Sequence, residues 1–233
     1  MHRLFVPKEE FPNISGSDLH YVKDVLRLKP GDDLELFDGH GFVYQVRIEK
    51  VSKEIITTQI IGRKKVESEL KIKVTLAQAL TKGQKMDFIV EKCTELGAAR
   101  IIPMLTERTI PKQAKLDRWR KLAKEAAEQS GRGVIPEIVT PLQLEEVIKL
   151  GEQYELCLIP WELEKSLTLK EVLKGLPDSI LLLIGPEGGF SRQEVDLAVK
   201  AGFKAVSLGK RILRSETAGL ASLAAISYEL EDK

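Results

Sequence analysis

The stretch Leu181-Leu-Leu-Ile-Gly-Pro-Glu-Gly-Gly-Phe-Ser191, followed by Leu208-Gly-Lys-Arg-Ile-Leu-Arg-Ser-Glu-Thr-Ala218, decides how this chain reads. The first segment is a short apolar run, a glycine-rich turn and a helix start, with Ser191 and Glu194 at the Ser-x-x-Glu spacing of a capping box. The second repeats the layout: a strand over Ala205–Leu208, a loop opened by glycine, and a helix capped near Ser215. Strand, glycine loop and helix is how α/β proteins bring main chain close to a cofactor, and two such loops at neighbouring strand ends form one crevice.

Neither loop carries a familiar phosphate signature. Gly185–Gly189 is not Gly-x-Gly-x-x-Gly, and it is not Gly-x-x-x-x-Gly-Lys-Ser/Thr, so the dinucleotide fingerprint and the P-loop are both missing. The loops also lie late in the chain, whereas an ordinary dinucleotide domain places its glycines after the first strand. A pair of tight turns that simply need glycine is the plainer alternative. Arg211, Arg214, Glu216 and Thr217 in the second loop argue for chemistry.

Working outward, strand and helix patterns alternate from Ile72 onward. Strands are predicted at Ile72–Gln78, Arg100–Leu105, Tyr154–Ile159, Ile180–Ile184 and Ala205–Leu208. Helices are predicted at Gln84–Leu96, Lys115–Gln129, Pro141–Leu150, Leu169–Lys174, Arg192–Ala201 and Glu216–Leu230. This is the pattern of an α/β domain with a mainly parallel sheet. Residues 1–66 read instead as mostly β: Leu34–Phe37 and Phe42–Ile48 flank the hairpin turn Asp38-Gly-His-Gly41, and Glu54–Ile61 adds a strand. One helix is predicted near Ser17–Leu26, with Pro30-Gly31 beyond its end. A small PUA- or OB-like β-barrel that holds RNA fits this arrangement. The polar stretch Gly62–Lys71 reads as a linker, giving domains at 1–66 and 72–233.

Bulk properties narrow the partners. The chain has 233 residues, 43% hydrophobic residues and a net charge of +1, so no global field draws it onto nucleic acid. Positive charge is concentrated locally in Glu107–Gly133, where eight Lys and Arg residues stand against four acids. Cys93 and Cys157 sit on apolar patterns and read as core. No Cys or His pair has metal-ligand spacing, so no metal is expected. No apolar run approaches 18 residues and no signal-peptide layout is present, which leads us to expect a cytoplasmic protein without membrane contact.

The pair Ile184-Gly-Pro-Glu-Gly-Gly-Phe-Ser191 and Leu208–Ala218 closely resembles the RsmE family of SPOUT-class methyltransferases. The likeness extends upstream through His2-Arg-Leu-Phe-Val6, His20-Tyr-Val-Lys-Asp-Val-Leu-Arg27 and Phe37-Asp-Gly39. It continues in Lys82-Gly-x-x-Met-Asp87, Glu91-Lys-Cys-Thr-Glu-Leu-Gly97 and Glu125-Ala-Ala-Glu-Gln-Ser-x-Arg132, and so covers nearly the whole chain. The resemblance implies an S-adenosylmethionine-dependent enzyme that methylates N3 of a uridine in 16S ribosomal RNA. It also implies a C-terminal trefoil knot around the cofactor and a homodimer. The last helix is rich in small residues, Ala218, Gly219, Ala221, Ser222, Ala224, Ala225 and Ser227, which fit ordinary packing on the sheet or, as the resemblance implies, a subunit interface. A related SPOUT enzyme acting on another RNA such as a tRNA, and a non-catalytic binder that keeps the fold, remain as alternatives.

Methyl transfer from a sulfonium needs position more than protein chemistry. Gly185, Gly188 and Gly189 would let main chain approach the cofactor. Ile159, Pro160, Ile184, Leu208 and Gly209 end three strands at one edge, and Ile212, Leu213 and Thr217 would complete the wall. Uracil N3 carries a proton at neutral pH, so a base or a charge that stabilises the uracil anion is required. Arg214 is the candidate for the charge. Glu187, the acid inside the glycine loop, is the candidate base, with helix capping or amide binding as its other role. Arg3, Arg27, Lys82, Arg108 and Arg132 are the candidate RNA contacts.

Overall fold

The computed structural model describes residues 2–110, 113–175 and 177–230. They divide into two compact units, one of residues Met1–Glu69 with Ala127–Ile135, the other of Leu70–Ala126 with Pro136–Lys233. The domain boundary expected near residue 70 therefore needs a correction: the segment Ala127–Ile135 groups with the first unit. Its reason is visible in contacts. Ala127 is buried with Phe37 and Val43, and Glu128 accepts the Phe5 N–H at 2.8 Å.

The first unit holds strands β1 (Arg3–Phe5), β2 (Ile14–Ser15), β3 (Asp33–Phe37), β4 (Phe42–Val51) and β5 (Ile55–Lys65). They form one sheet in the order β1-β3-β4-β5-β2, so β1 and β2 are edges and the expected barrel is not closed by hydrogen bonds among the described residues. Alternate residues of β3 and β4 turn inward with Ile14, Leu19, Val22 and Ile56 to make the core. The hairpin turn falls where expected, with Gly39 and Gly41 at φ +83° and +79°. Two local readings change. β5 runs four residues past Ile61, because Gly62–Lys65 pair with Gln45–Phe42, so that part of the expected linker is strand. The helix α1 (Gly16–His20) passes into a π-helical turn over Tyr21–Val25 and ends at Arg27, whose φ is +56°.

The second unit is built on strands β6 (Lys73–Ala79), β7 (Arg100–Leu105), β8 (Glu137–Ile138), β9 (Leu142–Gln143), β10 (Leu156–Pro160), β11 (Ser179–Ile184) and β12 (Lys204–Val206). Helices α2 (Lys85–Glu95), α3 (Leu116–Ser130), α4 (Leu144–Lys149), α5 (Leu169–Val172), α6 (Arg192–Lys200) and α7 (Ser215–Leu230) alternate with them. Every pairing in the seven-stranded sheet is parallel, with the path β12-β10-β11-β6-β7-β8 and β9 beside β7. Strands covered by helices on both faces read as continuous apolar runs, and Leu181–Leu183 are wholly buried. The helix expected over Pro141–Leu150 starts later, because Gln143 and Glu146 form a capping box after the short β9. The strand expected over Ala205–Leu208 stops at Val206, after which only Ser207 makes a bridge, to Thr168.

Helix α7 carries small residues on more than one side. Gly219 faces inward: a Cβ there would lie 3.1 Å from Gln78 Oε1 and 3.9 Å from Ile184 and Leu76 side chains. Ser222 is also buried. The smallness of Gly219 thus serves packing on the sheet, while Thr217, Ala224, Ala225 and Tyr228 are exposed. No described helix is long and apolar enough to cross a membrane.

Candidate active site

Because β10, β11 and β12 are parallel neighbours, Pro160, Ile184 and Val206 end at the same sheet edge. The loops that follow enclose a cavity of roughly 470 Å³, a size typical of small-ligand clefts. Pro160, Ile184, Leu208, Ile212 and Leu213 supply its apolar lining, and Gly185, Gly188, Gly189 and Gly209 supply bare main chain. Two expected wall residues are elsewhere. Ile159 is wholly buried in the core, because Pro160 is the residue that ends the strand. Thr217 is exposed on α7, while Ser215 and Ala218 line the cavity instead.

The glycines are required for different reasons. At Gly185 a Cβ would sit 3.1 Å from the Phe190 ring and 3.3 Å from its backbone nitrogen. At Gly188 it would meet the Arg108 side chain at 3.3 Å. Gly189 has φ +67°, where L-residues are strained, and a Cβ there would lie 2.9 Å from the Glu162 carboxylate. The loop closes through Gly189 N–H to Pro186 O at 3.0 Å. It then enters α6 through the capping box, in which Glu194 accepts from the Ser191 N–H at 2.7 Å. The second loop is joined to the first at its end. The buried Ser215 hydroxyl donates to Gly185 O and accepts from Gln78 Nε2 at 2.9 Å. Two strand ends and the start of α7 thereby share one polar contact point.

Glu187 lines the cavity, and its Oε1 is shared by two donors. It accepts from the Lys82 N–H at 2.9 Å and from Lys85 Nζ at 3.3 Å. Burial by itself would raise its pKa. The Lys82 amide, its own amide and the Lys85 ammonium outweigh that and hold the carboxyl below the ordinary value. A general base works best with a pKa near the working pH, and the lowered Glu187 pKa works against that role. Nothing in the sequence around Lys85 marks it as a site residue. Lys85 lines the cavity and also lies 3.2 Å from Glu216 at the start of α7. Burial would lower the pKa of Lys85, but Glu216 and Glu187 prevail and raise it.

Arg214 is exposed and lines the cavity, and among the described residues no carboxylate pairs with it. Lys210 and Arg211 are in the same position on the same loop. Trp161 and Glu162, which follow β10, also line the cavity, and the Trp161 indole N–H is buried without a partner among the described residues. Glycines that keep side chains off the main chain, apolar walls, an unsatisfied donor and unpaired charge of both signs make a donor set that suits S-adenosylmethionine, which is part apolar, part zwitterion.

The candidate RNA residues fall into two groups. Arg3 and Arg132 are committed inside the first unit: Arg3 pairs with Glu35 at 2.8 Å and donates to Gly131 O, while Arg132, 3% exposed, pairs with Glu69 at 2.7 Å. Arg27, Lys82 and Arg108 are exposed, and Arg108 donates to Gly188 O at 2.7 Å. Both cysteines are buried. Burial pushes the Cys157 thiol up to about 11 and raises Cys93 as well, consistent with core packing.

A model of the RNA methyltransferase domain matches residues 68–227, and a model of the RNA methyltransferase PUA domain matches residues 14–61. Ribosomal RNA small subunit methyltransferase E of Synechocystis is 40% identical over 99% of this chain and 78% of that protein. The Bacillus subtilis protein of the same name is 34% identical over 96% of this chain and 93% of its own length. Among solved structures, ribosomal RNA small subunit methyltransferase E from Neisseria gonorrhoeae bound to S-adenosyl methionine superposes with a TM-score of 0.89 at 32% identity, covering 100% of this chain and 99% of that one. On these likenesses and the motifs that carry them, the chain belongs to the ribosomal RNA small subunit methyltransferase E family.

Proposed function

We propose that this protein transfers a methyl group from S-adenosylmethionine to N3 of a uridine in 16S ribosomal RNA within the small subunit. The observation that carries the reading is the two-loop cavity, lined by glycine main chain and by the unpaired Arg214. When bound, the cofactor supplies an activated methyl group; the chain supplies position and charge. Ile184, Leu208 and Leu213 exclude water from the apolar part of the cofactor, and Gly185–Gly189 admit it. Arg214 stabilises the negative charge that grows on the uracil carbonyl oxygens as the N3 proton leaves. Glu187 and Lys85 hold the loops in register rather than move that proton. The target base must be unstacked, because N3 is occupied in a Watson–Crick pair.

On this reading the first unit, Met1–Glu69 with Ala127–Ile135, is a PUA-like RNA-binding module and the second is a SPOUT domain. Its C-terminal loops thread as a trefoil knot. The protein works in the cytoplasm as a homodimer, with the exposed face of α7 around Ala221, Ala224, Ala225 and Tyr228 as the interface. Arg27 and Lys82 are the exposed candidate RNA contacts, whereas the Arg108 side chain is held on Gly188 O at 2.7 Å. Mass-spectrometric mapping of ribosomal RNA from cells lacking the gene tests the substrate. Loss of one 3-methyluridine from 16S RNA is expected. Intact 16S RNA with a methyl missing from a tRNA would move the reading to the other RNA.

A further inference from the structure

We propose that Arg108 is a positioning residue for the cofactor loop, acting through the Gly188 carbonyl, and that its main effect is on cofactor affinity. The proposal rests on the reading of the two-loop cavity as the S-adenosylmethionine site. Arg108 lies in the turn after β7, and its Nη1 donates to Gly188 O at 2.7 Å across 80 residues of chain. Its aliphatic stem covers Gly188 so closely that a Cβ there would be 3.3 Å away.

The turn that carries Arg108 is itself fixed. Thr109, largely buried, donates its N–H to Thr106 O at 3.0 Å, and its hydroxyl meets the Thr106 amide at 3.0 Å and the Thr106 hydroxyl at 2.8 Å. The neighbouring Glu107 N–H donates to Glu194 Oε1 at 2.8 Å, while the other Glu194 oxygen takes the Ser191 N–H. Two adjacent residues of one turn therefore hold the C-terminal side of the glycine loop, at Gly188 and, through Glu194, at the start of α6. A loop rich in glycine gains most from such bracing, because it has the most conformational freedom to lose on binding. The donor on Gly188 is a guanidinium, which holds the carbonyl in a defined direction.

The test is calorimetric titration of S-adenosylmethionine into the full-length protein without RNA, for the parent, Arg108→Ala, Arg108→Lys and Gly189→Val. Arg108→Ala is expected to weaken cofactor binding roughly three- to tenfold, the loss of about one hydrogen bond. Arg108→Lys, which can still donate, is expected to recover part of it. In steady state the KM for the cofactor should rise, with the KM for RNA and the kcat at saturating cofactor little changed. Parental cofactor affinity in Arg108→Ala with a raised KM for RNA would overturn the proposal and leave Arg108 an RNA contact. If Gly189→Val also binds at parental affinity, the cavity assignment falls as well. If Gly189→Val loses binding while Arg108→Ala does not, only the brace falls. A loss in Arg108→Ala that the lysine variant does not relieve, with a matching drop in thermal midpoint, would also overturn it.

Discussion

Lys85 Nζ lies 3.2 Å from Glu216 Oε2, joining the start of α2 to the start of α7, and the same ammonium reaches Glu187 in the glycine loop at 3.3 Å. One cation thus ties both cofactor loops to a helix that contributes no glycine.

Lys85→Met should loosen both loops at once. It leaves two carboxylates facing each other without their cation, so cofactor affinity should fall several-fold and the unfolding midpoint in urea should drop. These groups are partly exposed, which limits the stability loss to roughly 1 kcal/mol. Parental affinity and midpoint would show that the tie is idle.

The same contacts set a pH window. The Glu187 pKa is depressed in the folded state, so its contribution is present above the ordinary value of 4.5 and is lost as pH falls through the depressed one. The Lys85 pKa is raised, so its contribution is complete below 10.5 and is lost as pH rises through the folded value. Cofactor affinity should be flat with respect to this tie around neutrality and should weaken in strong acid. Glu187→Gln should remove part of that acid limb without introducing a new ionisation in kcat near neutrality. A neutral-range step in kcat that disappears in Glu187→Gln would restore Glu187 as the proton acceptor.

Arg132→Ala should act on stability. Glu69 would keep only the Gly133 and Val134 amides, at 2.9 and 3.2 Å, after losing a buried guanidinium. Breaking such a pair costs about 2–3 kcal/mol when, as here, the carboxylate keeps amide donors. Urea unfolding reads the loss. An unchanged midpoint with weaker RNA binding would return Arg132 to the RNA contacts. The same contact warns against truncation near Lys71, since Ala127–Ile135 would lose the residues they pack on.

Ala225→Glu tests the interface without disturbing the fold, because this position is exposed on α7. The chain mass is 26.1 kDa. The parent should sediment as a dimer and the variant as a folded monomer, with a thermal midpoint no longer dependent on protein concentration. A parent that sediments only at the chain mass removes α7 from any such role. Gly219 is a poor site for this test, since a side chain there meets Gln78.

The glycine loops were legible because a bare main chain and a capping box leave a mark in a few consecutive residues. Gly189 needs its positive φ, and Ser191 and Glu194 do cap α6. The parallel sheet was legible for a similar reason, as alternation of apolar runs with helical periods. What escaped were ties between distant segments. Lys85 sits inside the motif Lys82–Asp87 that carried the resemblance, yet nothing in that motif shows that Glu187 and Glu216 converge on it. The charge of an arginine likewise does not reveal its partner: Arg3 and Arg132 looked like Arg27 in sequence, and only burial separates them. The grouping of Ala127–Ile135 with the first unit was hidden because α3 is continuous in pattern across the division.

In the proposed mechanism Arg214 stabilises charge on the uracil ring as N3 is methylated. Single-turnover methylation of small-subunit RNA, followed against pH for the parent and Arg214→Ala, tests it most directly. Removing one preorganised donor of this kind typically lowers the rate roughly 10²–10³-fold. The variant should bind S-adenosylmethionine nearly as well as the parent, turn over that much more slowly, and regain part of the rate as pH rises and hydroxide removes the N3 proton. Equal rates for the two proteins would contradict the account, and a slow variant with an unaltered pH profile would make Arg214 a residue that holds RNA.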